Sequence, residues 1–239
     1  DFCLSRGLGD VYKRQLDASG KYQYYGRNTD WYDLFYKKST TAHQHNIRIS
    51  GGGKTSSFIA SARYYEQDGI YRVGDEKFRQ LNARAKGTVN ITKWLTVENN
   101  TDFVRRSYHQ PTTYAQNLLV RRNLEHQGFP ITRVTNPDGT WTGTPIYNFN
   151  PLASIKALGR NSTHDRTLQA NFQLKERLDF LVEGLYLSEA MSLSSWTRDG
   201  ASNTRNYSRW LDGVQQTTDN DTPYTRGEDS GQNQWTWQP

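Results

Sequence analysis

Three groups of side chains in this 239-residue chain have types and spacings that could do chemistry. His43 and His45 stand two apart, so an extended backbone puts both rings on one face. A zinc-type site needs at least a third protein ligand, and none is suggested nearby, so these read as solvated histidines. Arg84, Lys86, Glu98 and Asp102 sit at even positions of two segments and share one face if those segments are extended. There they could steer a solute or contact a neighbouring domain, or simply be charges tolerated on a wet surface. Trp141, Tyr147, Trp196 and Trp210 lie in or beside long irregular stretches, where an aromatic ring can stack on a sugar. Such stretches also need internal cores, and no spacing singles out a sugar platform. No Gly-x-Ser-x-Gly, phosphate loop or His-Glu-x-x-His pattern is present, and no carboxylate pair stands where one pKa would be raised against the other. The chain reads as a non-enzyme with no metal or cofactor.

The elements that position these groups are strands. Between Arg79 and Phe103 one parity holds Leu81, Ala83, Ala85, Gly87, Val89 and Ile91. The other holds Gln80, Asn82, Arg84, Lys86, Thr88 and Asn90. After a Thr92-Lys93-Trp94 break, Leu95, Val97 and Phe103 stand opposite Thr96, Glu98, Asn100 and Asp102. Period-two alternation makes one face apolar and the other polar. A soluble sandwich hides the apolar face on a core, whereas a membrane barrel turns it to lipid and keeps a wet lumen.

Length and punctuation favour the barrel. The segment from Lys77 to Ile91 would extend about 50 Å, well beyond an ordinary globular strand. Further strands are expected at His45 to Ser50, Thr55 to Arg72, Thr163 to Lys175 and Asp179 to Trp196, about six in all. The breaks at 51–54, 92–94 and about 176–178 are short, whereas a connection from Tyr108 to Ser162 is long. Short turns on one rim and long loops on the other are the outer-membrane arrangement. The long connection holds an expected amphipathic helix near Thr113 to His126 and a turn at Asn136-Pro137-Asp138-Gly139. Trp94, at a short-turn rim, reads as an aromatic residue of the lipid interface rather than ordinary turn packing. Leu16 to Lys38 reads as an irregular or short helical lead-in, with Asp30 a candidate N-cap. After Arg198 no strand is expected.

Composition agrees. Only 34% of residues are hydrophobic and the mean hydropathy is −0.92, yet 13% are aromatic, which argues against disorder. No apolar run is long enough for a transmembrane helix. The formal charge is +6, but basic residues are dispersed among acids, which disfavours a nucleic-acid partner. The single Cys3 can form no internal disulfide. It lies in Asp1 to Gln15, which resembles translated sequencing adapter and is set aside as non-native.

Asn28-Thr29-Asp30-Trp31, then His45-Asn46-Ile47-Arg48-Ile49-Ser50-Gly51-Gly52, Phe58 through Ile70 and Thr92-Lys93-Trp94-Leu95 follow one another in a familiar order. In that succession the chain resembles the SusC/RagA family of TonB-dependent outer-membrane transporters, over nearly all of Leu16 to Pro239. The resemblance implies a plugged barrel of about 22 strands, of which this chain would supply the beginning. Residues 16–44 would lead from plug to barrel and 45–239 would form a truncated N-terminal part of the barrel. The plug and TonB box would lie outside the chain. It also implies import of oligosaccharides or peptides, energised through TonB, with a SusD-like surface lipoprotein and outer-membrane lipid as further partners. Arg84, Lys86, Glu98 and Asp102 would face the lumen. The competing reading is a secreted β-sandwich glycan-binding module, which requires strands of five to seven residues.

Overall fold

The computed structural model describes residues 15–16, 22–23, 29–111, 132–143, 150–157, 159–205, 207–211, 213–216 and 224–238. Seven long strands dominate it: β1 (Ala42–Gly52), β2 (Ser56–Asp68), β3 (Lys77–Asn90), β4 (Leu95–Pro111), β5 (Gly159–Arg177), β6 (Tyr186–Thr204) and β7 (Tyr224–Gln238). They form one antiparallel sheet in chain order, β1 to β7, with β1 and β7 at its edges. The shortest strand has 11 residues and the longest have 19, which excludes the short strands of the sandwich reading. The fold is all-β and has the form of a section of barrel wall.

Direct register carries the alternation across the sheet. Ala85 faces Ala60 on β2 and Thr101 on β4, and the row continues through Ala170, Leu193 and Trp235, with Ile49 at its β1 end. The next row joins Phe58, Gly87, Asn99, Phe172, Met191 and Trp237. These large apolar side chains remain in contact with solvent: Phe58 is 52% exposed and Trp235 65%. An apolar face of that extent is rare on a soluble monomer. The two polar members of these rows bond to one another, since the Thr101 hydroxyl donates to Asn99 Oδ1 at 3.0 Å. Gly51 makes room for Phe58, whose ring would lie 2.9 Å from a Cβ at that position.

Two sequence expectations are corrected. The strand placed at Asp179 to Trp196 begins at Tyr186 instead, because 178–185 forms the turn between β5 and β6. Gly184 adopts φ +77°, and its amide donates to Asp179 Oδ1 at 3.0 Å, closing the turn around Phe180, Leu181 and Val182. The count of six strands becomes seven, because the polar segment Tyr224–Gln238, where no strand is expected, forms β7. Its Gly-Glu-Asp-Ser-Gly-Gln run has poor strand propensity, and pairing with β6 from Tyr224↔Thr204 to Gln238↔Ala190 overrides it. The expected helix at 113–126 lies outside the described residues.

One rim has the connections 53–55, 91–94 and 178–185; the other has 69–76, 112–158 and 205–223. The long-connection rim carries the only hydrophobic core among the described residues. Helix α1 (Trp31–Phe35) inserts Trp31 and Phe35 against Tyr71 and Ile155, the latter on helix α2 (Pro151–Ala157). Asp30 caps α1 as expected, its Oδ1 accepting from the Asp33 amide at 3.0 Å. Replacing Asp30 with Ala removes that acceptor and is expected to cost about 1 kcal/mol in thermal unfolding. The Asn136–Gly139 turn also forms, with Gly139 N–H donating to the Asn136 carbonyl at 3.0 Å.

Candidate functional site

The polar face of the sheet gathers the charged residues singled out by spacing. Arg84 lies directly opposite Asp102, Lys86 opposite Asn100, and Thr88 opposite Glu98. Arg84 Nε stands 3.4 Å from Asp102 Oδ1, and the same guanidinium donates twice to Asn100 Oδ1 at 3.2 Å. Lys175, on β5, donates to Glu98 Oε1 at 2.8 Å. All four predicted residues therefore share one face, where Arg84 pairs with Asp102 and Glu98 with Lys175 while Lys86 stands opposite the neutral Asn100. These pairs are solvent-exposed, so they contribute at most modestly to stability.

Toward β7 the same face changes character. Gln169, Asn171, Ser192, Ser194, Gln234 and Thr236 line a shallow depression of about 270 Å³. Ser192 donates to Asn171 Oδ1 at 2.7 Å, and Gln173 Nε2 to Ser188 Oγ at 3.0 Å. A surface of amides and hydroxyls without charge suits neutral hydroxylated or amide-bearing solutes, which it can meet with both donors and acceptors.

Nearer the long-connection rim, Asp165 is 7% exposed and held by a two-pronged contact from Arg198, at 2.6 and 2.9 Å. The Arg198 guanidinium lies 5.4 Å from the centre of the Trp196 ring. Trp196 thus belongs to the wall, not to a loop. Trp141 and Trp210 meet in a small three-stranded sheet of Trp141–Thr142, Arg209–Leu211 and Val214–Gln215, where Trp210 pairs with Thr142. Lys156 Nζ sits 5.9 Å from the centre of the Trp141 ring. Tyr147 lies outside the described residues.

Sequence reasoning missed an aromatic strip on the polar face. Tyr65, Phe78 and Tyr108 come from three adjacent strands, with ring centres 6.0 Å apart for the first pair and 4.9 Å for the second. The signal was available: all three interrupt the polar parity near the long-connection ends of their strands. Trp94, at the opposite rim, is 43% exposed and packs edge-on against Phe180 at 6.5 Å. His43 and His45 stack edge-on at 5.5 Å on the edge strand.

Asn150 organises the loop layer above the sheet. It is 2% exposed; its Nδ2 donates to the carbonyls of Val134 and Thr142, and its Oδ1 accepts the Ala153 amide of α2. Its own amide donates to the Tyr207 hydroxyl, which in turn donates to the Asn150 carbonyl. Burial pushes the Tyr207 phenol pKa up, so it stays a donor at neutral pH. Asn150→Ala strands two carbonyls and is expected to cost about 2 kcal/mol, measurable as a lower melting temperature.

A two-faced antiparallel sheet with long strands, an exposed apolar face and unequal rims defines a β-barrel wall of the membrane type. No protein-family profile and no curated protein matches the chain. Among solved structures it is similar to the RagAB peptide importer in its "closed-closed" state, with TM-score 0.54 and 16% identity over 85% of this chain and 23% of that one. A second, the RagAB peptide transporter, gives TM-score 0.56 and 17% identity over 83% of this chain and 23% of that one. The chain has the fold of a section of that larger protein, and the expected likeness to SusC/RagA proteins holds at the level of the fold. It spans about a quarter of their length.

Proposed function

We propose that this chain forms part of the wall of an outer-membrane, TonB-dependent transporter of the SusC/RagA kind. The observation that carries the reading is the sheet itself: strands of 11 to 19 residues with most of their exposed large apolar side chains on one face. The apolar face meets lipid and the polar face lines the lumen. From Leu81 to Val89 the apolar parity covers about 27 Å of strand, or roughly 21 Å of height at a 40° tilt, and Ile91 in the following turn extends it toward the apolar band of such barrels. Trp94 and Phe180 then lie at the inner interface and the long connections outside. A SusD-like lipoprotein would meet those connections, and TonB would act through a plug.

The cargo is an oligosaccharide or a peptide. Arg84, Lys86, Glu98 and Asp102 form the charged part of the lumen wall, and the neutral ladder beside β7 gives the solute hydrogen-bonding partners. Trp141, Tyr147, Trp196 and Trp210 remain candidate substrate contacts, with Trp196 placed best by its position on the polar face. Deleting the gene should abolish growth on one polymeric source, glycan or oligopeptide, while growth on monosaccharides and amino acids continues. Undiminished growth on every polymeric source offered, or recovery of the protein from the soluble fraction, would overturn the proposal.

A further inference from the structure

The apolar face ends toward the long-connection rim in a belt of charge whose cations and carboxylates are unevenly distributed over the strands. On the β2–β3 side the cations are matched. Lys77 pairs with Glu66 at 3.0 Å and Asp68 at 3.4 Å, and Arg79 pairs with Glu66 at 2.9 Å. On the β4–β5 side Arg105 lies directly opposite Arg166. Arg166 reaches Asp199 at 2.9 Å, but no ion pair or hydrogen bond holds Arg105 among the described residues. Two guanidinium groups therefore lie side by side on β4 and β5, while two carboxylates, Asp199 and Asp229, lie directly opposite one another on β6 and β7. Like charges directly opposite on neighbouring strands repel. Both arginines are exposed. Two residues nearer the band, on the same face, Phe103 lies directly opposite Leu168. The geometry thus places a cationic pair immediately above an apolar pair, at the edge of the apolar band.

We infer that Arg105 and Arg166 form a clamp for the phosphate headgroup of a lipid in the external leaflet, its acyl chain lying over Phe103 and Leu168. Guanidinium forks match phosphate oxygens in geometry and charge, and a phosphate between them relieves the Arg105–Arg166 repulsion. The apolar pair beneath makes a lipid headgroup, rather than free phosphate, the complementary ligand. The inference rests on the lipid-facing assignment of the apolar face.

The test uses the full-length protein carrying these strands, purified in detergent and examined by native mass spectrometry. Dilauroyl phosphatidic acid is the probe and dilauroylglycerol the neutral control. The natural protein should prefer the phosphorylated lipid, and the R105Q/R166Q double variant should lose that preference by roughly tenfold or more, the scale of a charge-assisted hydrogen bond. R48Q, on the polar face, should leave it intact. An unchanged preference in the double variant, an equal loss in R48Q, or displacement of the lipid by millimolar inorganic phosphate would overturn the clamp. A nitroxide attached at Leu168→Cys separates this from failure of the parent reading. Accessibility to oxygen with no phosphate preference rejects the clamp alone, whereas accessibility to a water-soluble nickel reagent rejects the lipid-facing assignment and the clamp with it.

Discussion

Ala85→Arg should destabilise the protein by about 2–4 kcal/mol in urea unfolding from lipid vesicles, the cost of a cation near the middle of a barrel's lipid face. Ala85 lies in the row Ile49, Ala60, Ala85, Thr101, Ala170, Leu193, Trp235, with apolar rows on both sides of it. A guanidinium there can reach the interface only by extending along the strand past Leu81 or Val89. The neighbouring residue supplies the control, because Lys86 projects from the opposite face. Lys86→Ala should change stability by no more than about 0.5 kcal/mol, as expected of a wet surface position. The contrast between adjacent residues is the diagnostic quantity, since it cancels general effects of mutation on folding efficiency. Equal costs at 85 and 86 would mean that both faces see water.

The second large effect is expected at Gly74, in the connection between β2 and β3. Its φ is +101°, a conformation that L side chains rarely adopt. A Cβ there would also stand 2.5 Å from Pro111 Cγ and 2.8 Å from Ile155 Cγ2. Both neighbours are buried, Ile155 in the α1–α2 core and Pro111 at the end of β4, so neither can move away cheaply. Gly74→Ala therefore combines backbone strain with overpacking, each worth about 1–3 kcal/mol, and should cost roughly 2–4 kcal/mol in total. Gly139, with φ +87° but open space around its Cβ position, isolates the backbone contribution; Gly139→Ala should cost about 1–2 kcal/mol. Melting followed by tryptophan fluorescence checks both, because Trp31 reports on the core that Gly74 borders. If the two glycines respond alike, the close approach at Gly74 is not restrictive.

These positions differ in how far they could be anticipated. Ala85 and Lys86 belong to an alternation with a period of two, a property of neighbouring residues along one strand, and their faces follow from the sequence directly. The charged set Arg84, Lys86, Glu98 and Asp102 was legible for the same reason. Gly74 was not, because its constraint comes from Pro111 and Ile155, residues far along the chain. The aromatic strip of Tyr65, Phe78 and Tyr108 was visible as three breaks in polar parity, yet only register brings the three rings together. The 178–185 turn was hidden by its own apolar residues, which imitate a strand until the Asp179–Gly184 hydrogen bond closes the loop.

The amino-acid sequence by itself determined the two faces of β2 to β5, the inequality of the rims and the Asp30 cap, since each depends on contacts within a few residues or on strict alternation. Tertiary structure decided the rest. Pairing with β6 made a strand of the polar 224–238 segment, and Asn150 tied distant pieces of a long connection into one layer. Register set Arg105 beside Arg166 on strands whose intervening connection runs from 112 to 158. Interactions between residues that far apart carry no local period, so they become visible only when the sheet has closed the distance between them.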